Sequence, residues 1–283
     1  MVHHKNITNN NKKPPPRKII HENKVITSLK KICNIANCHY IQKIVNIRNK
    51  FTPSVVSPID ILKKIQARPK NKFKLPLITI EETKTIIKKL KSSNSTGHDL
   101  ATTKIYKKLA NRISPHITHL INSIITTSSY PNILKVSKMT PILKPDKDPL
   151  LVDSYRPINN LCTLEKIVEE HIKTHLSNHL EVNKIIDKNH HGSRKLHGTS
   201  TAITHITHEL NNRYEDDYLT AIVQTDLSSA FDTIDSDRLL QKLNYYGVED
   251  KELKLFNSFM TDRSQYVTLD TYQSDVKYPL DAV

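Results

Sequence analysis

Asp226 closes a short apolar run, Leu219-Thr220-Ala221-Ile222-Val223-Gln224-Thr225. It is followed by Leu227-Ser228-Ser229-Ala230-Phe231-Asp232-Thr233-Ile234-Asp235. A strand that delivers a carboxylate, then a small-residue turn, then an aromatic, is what a metal-dependent nucleotidyl-transfer site needs. In such a site a 3′ hydroxyl attacks an α-phosphate. Two divalent cations about 3.5–4 Å apart activate the attacking oxygen and stabilise the leaving one. Mg²⁺ takes one or two carboxylates and completes its shell with water and substrate phosphates. A strand end holds a carboxylate more rigidly than a loop does. Asp226 is the candidate ligand. Taken alone it is equally an ordinary strand-end aspartate before a helix capped by Ser228 or Ser229; the complete string through Asp235 gives it weight.

A triphosphate also needs cations. Arg grips phosphate through a planar fork and Lys through a point charge. The stretch from Lys135 to Pro149 reads as two strands around a basic tip, closed by Ser154-Tyr155-Arg156-Pro157-Ile158-Asn159-Asn160-Leu161. Such a hairpin brings Lys144, Lys147 and Arg156 together. A third block, His190-His191-Gly192-Ser193-Arg194, is a turn in which Gly192 lets the backbone bend closely and Arg194 reaches outward.

The Asp226 string resembles the first catalytic motif of reverse transcriptases from non-LTR (LINE-like, Jockey-like) retrotransposons, in which Asp-Leu-Ser-x-Ala-Phe-Asp is the signature. Tyr155-Arg156-Pro157-Ile158 is similar to the family's Tyr-Arg-Pro-Ile-Ser block, with Asn159 in place of Ser. The Gly192 block resembles its Gln-x-Gly-Phe-Arg-x-x-x-Ser-Thr segment, with Ser193 where an aromatic is usual and Gly198 where Ser is common. The resemblance covers roughly Thr79 to Val283, and the blocks follow one another in the family's order.

It implies an RNA-directed DNA polymerase that uses Mg²⁺ or Mn²⁺, an RNA template, a DNA primer or target, and dNTP. It makes Asp226 the catalytic metal ligand, assisted by the carbonyl of Leu227. Arg156, with Lys144 or Lys147, takes the triphosphate, and Phe231 lies under the incoming sugar. Gly192 and Arg194 meet the template. Asp232 orients the turn rather than binding metal. The implied fold is α+β: fingers and a partial palm of a right-hand polymerase, with a helical N-terminal extension. No Tyr/Phe-x-Asp-Asp pair follows Tyr266; the nearest lookalike, Tyr214-Glu215-Asp216-Asp217, precedes the first motif and reads as a solvated turn. The chain is therefore read as truncated before the second catalytic hairpin and inactive by itself. The alternative is a non-catalytic nucleic-acid-binding remnant that keeps the basic fingers.

Positioning these residues falls to the elements around them. The 283 residues suit one large domain or two small ones. A net charge of +15 marks a partner of polyanionic chemistry, although the abundance of Lys, Asn and Ile also follows from an AT-rich gene. Three cysteines, Cys33, Cys38 and Cys162, are too few and too scattered for a disulfide framework and favour a reducing compartment. Cys33, Cys38 and His39 lack a second ligand pair at zinc-site spacing. No apolar run is long enough to span a bilayer, and the N-terminus lacks a secretory signal, so an intracellular location, nuclear or cytoplasmic, is expected.

Three regions are expected. Residues 1–75 form a basic N-terminal segment and connector: a tail to about Lys24, a basic amphipathic helix over 30–50, and a stretch punctuated by Pro53, Pro58 and Pro69, with Pro76 at its end. Residues 76–134 form a helical extension, with a helix capped at Thr79 and two more separated at Pro115. Residues 135–283 carry fingers and palm, with helices along Leu161–Leu180, around Leu239–Leu243 up to Gly247, and through Leu253–Met260, then a strand at Gln265–Leu269. Oligomeric state has no sequence signal.

Overall fold

The computed structural model describes residues 15–52, 55–227 and 229–278. Most of the tail, Pro53, Ser54, Ser228 and the last five residues lie outside them. The chain is α+β. A hairpin of β1 (Ile19–His21) and β2 (Lys24–Ile26) precedes α1 (Leu29–Arg48) and α2 (Pro58–Ile65). Then come α3 (Ile80–Lys89), α4 (Thr103–Thr127), β3 (Val136–Leu143), β4 (Tyr155–Asn160), α5 (Thr163–Val182) and α6 (Thr199–Glu215). The order finishes with α7 (Ser236–Tyr245), α8 (Asp250–Met260), β5 (Ser264–Leu269) and β6 (Tyr272–Gln273).

Four strands form one mixed sheet in the order β4-β3-β5-β6. The β3–β4 pair is antiparallel with Ile142 opposite Arg156, and β3–β5 is parallel. Alternation gives the sheet two unlike faces. One carries Met139, Val267 and Leu269 and packs on α1 through Ile32, Cys33, Ala36 and Tyr40, with Ile19 completing the cluster. The other face presents Lys138, Thr140, Ile142, Arg156 and Ile158. Asn37, fully buried on α1, has its polar atoms satisfied: it donates to Ser274 Oγ and the Asp275 carbonyl, both at 3.0 Å, and accepts from Gln265 Nε2 at 2.8 Å. The expected basic helix thus lies against the main body.

A second, larger core joins α3, α4, α5, α7 and α8 around Ile87, Ile121, Ile124, Tyr130, Ile167, Val168 and Phe256. Thr79 and Glu82 form the capping box foreseen at the start of α3. Gly247 ends the α7 turn at φ +90 as expected, and its carbonyl accepts from Phe73 N at 2.8 Å.

Two expectations about elements away from the candidate site fail. The tail does not reach Lys24: residues 19–26 make a hairpin whose Glu22-Asn23 turn has positive φ at both positions, the geometry of a type I′ turn. Burial of Ile19 against α1 stabilises it, a long-range contact that a polar local sequence conceals. Pro115 does not divide α4, which runs unbroken through it. Its ring is exposed, and the apolar stripe on both sides (Ala110, Ile117, Ile121, Ile124) enters the same core. That shared burial outweighs the one helical hydrogen bond proline removes.

Candidate active site

A hairpin forms with Lys144 and Arg156 on its two arms, but only one strand, β3, lies within 135–149; the returning strand is β4, in the block expected to close the unit. Lys144 N bonds the Ser154 carbonyl at 2.9 Å, extending the ladder beyond Leu143–Tyr155. Lys144 therefore lies diagonal to Arg156 on the same face of the hairpin, a separation long side chains can bridge. Arg156 is exposed there, and Lys147 is exposed at the tip. Lys144 Nζ also reaches the Asp153 carbonyl at 2.7 Å.

The carboxyl of Asp153 is the hub of this corner. It accepts from Lys43 Nζ at 2.8 Å and lies 3.5 Å from His39 Nε2, both on α1. The Lys43 hydrogen bond chiefly holds its pKa below the ordinary aspartate value. Lys43 also acts on Asp232, opposing the desolvation that raises that carboxyl. One turn further on, Arg48 Nη2 bonds the Ile234 carbonyl at 2.6 Å. α1 is thus a spine that meets the β3–β4 connection at Asp153 and the end of the Asp226–Asp235 string at Ile234. These α1 and Asp153 groups were not foreseen. The i, i+4 spacing of His39 and Lys43 put them on one helix face, but their partner lies about a hundred residues away.

The strand expected to carry Asp226 is absent. Residues 218–227 belong to no helix or strand, and Asp226 and Leu227 are exposed. An isolated strand leaves its backbone groups without ladder partners. Among the described residues no strand lies beside this one; the sheet edges are β4 and β6. Phe231 projects from the following turn, 86% exposed. Asp235 caps α7, accepting from Arg238 N at 2.9 Å. A cavity of about 740 Å³ lies beside Thr233, Ile234 and Asp235, between α1, α2 and α7, but neither Asp226 nor Arg156 lines it. Tyr214 and Glu215 end α6, and Asp216 and Asp217 form the exposed turn after it.

The Gly192 loop is built differently from the reading given it. A Cβ at Gly192 would meet only His190 Nε2 at 4.0 Å, so no close approach demands glycine there. Arg194 turns inward: Nε and Nη2 form a two-pronged pair with Glu181 of α5 at 2.7 and 2.8 Å, and Nη1 bonds the Asp187 carbonyl at 3.0 Å. That pairing lowers the Glu181 pKa. The crowded glycine is Gly97, in the turn before α4, where a Cβ would fall 2.5 Å from Cys162 N.

The donor set at the string is hard oxygen, the Asp226 carboxylate and the Leu227 carbonyl, which suits Mg²⁺. Among the described residues no three His, Cys, Asp or Glu side chains gather as a metal cluster. Two such donors would leave the remaining positions of an ion to water and substrate.

Comparison with known proteins gives this geometry its family. Residues 142–278 match the model of "Reverse transcriptase (RNA-dependent DNA polymerase)". Curated relatives extend the likeness to either side. The chain is 28% identical over 255 residues to "RNA-directed DNA polymerase from mobile element jockey" of Drosophila melanogaster, covering 89% of this chain and 27% of the relative. It is 30% identical over 201 residues to the protein of the same description from Drosophila funebris, covering 71% and 22%. The chain belongs to the reverse transcriptase family. The "Probable RNA-directed DNA polymerase from transposon BS" of Drosophila melanogaster matches at 28% over 192 residues, 66% of this chain and 20% of the relative. This reverse transcriptase chain therefore spans about a quarter of the length of those relatives, and it resembles Jockey-like non-LTR elements. No helix among the described residues is long and apolar enough to cross a membrane.

Proposed function

We propose that this chain forms the fingers and part of the palm of an RNA-directed DNA polymerase of a Jockey-like element, with residues 76–134 as a helical extension. Its substrates are dNTP, a primer 3′ hydroxyl from DNA and an RNA template, in target-primed insertion. The α1 spine carries the proposal: one helix holds both the Lys144–Asp153 corner of the fingers and the string that includes Asp226.

In this reading Arg156 and Lys144 hold the triphosphate from the open sheet face, and Lys147 draws it in from the tip. Phe231 underlies the sugar. Asp226 and the Leu227 carbonyl hold one divalent ion, which when bound neutralises phosphate charge and lowers the pKa of the attacking hydroxyl. Arg194 meets a template phosphate by exchanging its Glu181 partner for it, and otherwise shapes the loop that presents Gly192. Pairing of 219–226 as a palm strand needs a neighbouring strand, and the second carboxylate pair of the family has no counterpart after Tyr266 in these 283 residues. The chain alone therefore supports no primer extension.

Exposure of Arg156 and Lys147 equally suits the alternative, a nucleic-acid-binding remnant with no catalysis. Joining the chain to a palm segment that supplies Tyr-x-Asp-Asp separates the two. The polymerase reading expects extension with Mg²⁺ or Mn²⁺ that Asp226→Ala abolishes. Extension unaffected by that change, or none from a folded fusion, removes it. A nuclear or cytoplasmic location accompanies the proposal.

A further inference from the structure

α4 runs for twenty-five residues without one Asp or Glu. Between Glu82 and Asp146 the sequence carries eleven Lys and Arg residues and a single carboxylate, Asp99. Lys104, Lys108 and Arg112 are exposed and recur every fourth position, with His116 next in the row. They form one ridge, each cation about 6 Å further along the helix axis than the last. Ile105 and Leu109, 48% and 42% exposed, run alongside it. Among the described residues none of the three cations has an acidic partner. Other surface lysines do: Lys63 pairs with Asp60, Lys173 with Glu170, and Lys74 with Glu252.

The ridge is unfavourable for the helix that bears it. Its lysines fall in the first turns, at the positive end of the helix macrodipole, where cations are disfavoured. The α3–α4 hairpin adds to this. Thr83 meets Thr118 and Ser93 meets Thr103, so α3 runs back along α4; its exposed Lys88 and Lys89, and Lys91 just beyond it, lie at the same end. The turn between the helices reaches the open face of the sheet: Ser95 Oγ donates to Asn160 Oδ1 at 2.7 Å, and Lys138 Nζ lies 3.4 Å from Thr96 Oγ1. Mutual repulsion at this end is relieved by an external polyanion, and the regular rise matches a backbone with repeated charges.

We propose that the α4 ridge of Lys104, Lys108 and Arg112 is a phosphate-backbone binding track, separate from the nucleotide-holding residues of the hairpin, that takes a nucleic-acid strand leaving the open sheet face. Exposed Ile105 and Leu109 offer apolar contact to sugars and bases between phosphate contacts.

The test is fluorescence anisotropy of the full chain with a labelled single-stranded RNA and a DNA of the same sequence, titrated at salt concentrations from about 50 to about 200 mM. Each phosphate contact to a single strand contributes about 0.7 to the slope of log K against log salt. K104Q/K108Q/R112Q is expected to flatten the slope by about 2, so that the loss of affinity over that salt range shrinks by roughly 20-fold. Single variants are each expected to remove about 0.7, and they replace the triple variant if it unfolds. Equal effects on RNA and DNA assign the track to the shared backbone, and an effect confined to RNA assigns it to that strand; both support the track. An unchanged slope in the ridge variants, with K144Q/R156Q removing the salt dependence, overturns it and leaves the proposed polymerase function standing. Equal flattening by K63Q/K173Q, which lie off the ridge, also overturns it, because net charge alone would then explain the binding.

Discussion

Glu165 lies in the first turn of α5, completely buried. One oxygen accepts from Arg263 Nη2 at 2.7 Å, and the other, Oε2, has no hydrogen-bond partner. Arg263 is anchored in turn by the Phe259 carbonyl at 3.1 Å and lies over the Phe259 ring at 5.0 Å. Burial raises the Glu165 carboxyl from the ordinary value to about 7, against the pull of Arg263. The folded protein thus binds this proton more tightly than the unfolded chain does. Stability from this group is complete below about pH 4.5 and is lost as pH rises toward 7. Between about pH 5.5 and 7.5 the linked loss is about 2 kcal/mol, or roughly 5 °C in Tm for a chain of this size.

Glu165→Gln keeps the side-chain shape and removes the titration. The measurement is urea unfolding across that pH window for both proteins, read as the difference in their pH slopes. Taking the difference cancels the opposite contributions of Asp153, Glu82 and Asp275, whose pKa values are lowered. The stability gap between variant and parent is expected to move in favour of the variant by about 2 kcal/mol from the lower to the higher pH. Parallel slopes would refute the account of a protonated buried carboxyl.

Pro115→Ala restores a helical hydrogen bond in mid-α4; after allowing for the more restricted unfolded state of proline, it is expected to stabilise by about 2 kcal/mol, read as a higher urea midpoint. A lower midpoint would mean that the ring packs in a way its exposure contradicts. Gly97→Ala forces a methyl into the backbone at Cys162 and is expected to destabilise by about 3 kcal/mol or to prevent folding, whereas Gly192→Ala, in open space, is expected to change stability by less than about 0.5 kcal/mol. Equal effects in thermal melts would contradict the assignment of the crowded glycine.

Most helices, and a hairpin carrying Lys144 and Arg156, were legible because their signals are local. Thr79 and Glu82 carry a capping box, Gly247 ends a helix, and the basic tip marks where β3 turns back toward β4. What escaped was non-local. The β1–β2 hairpin depends on Ile19 meeting a helix core, and α4 continues through Pro115 because both halves meet one interior. At the candidate site the residue types of the Asp226 string and the Arg156 block were readable, and so was the family. The strand expected beneath Asp226 does not form, since a short apolar run records a capacity to pair and says nothing of whether a neighbour is there. Arg194 shows the same limit: its charge was visible, but not that Glu181 would claim it.

In the proposed reading Asp226 is the metal-binding carboxylate. Mn²⁺ paramagnetic broadening of the backbone amide spectrum, in the presence of dNTP, tests it most directly. Broadening centred on Asp226 and Leu227, spreading toward Phe231 and Asp232 and lost in Asp226→Asn, is the result expected. Broadening that persists unchanged in that variant, or that centres on another carboxylate such as Asp153, would contradict it.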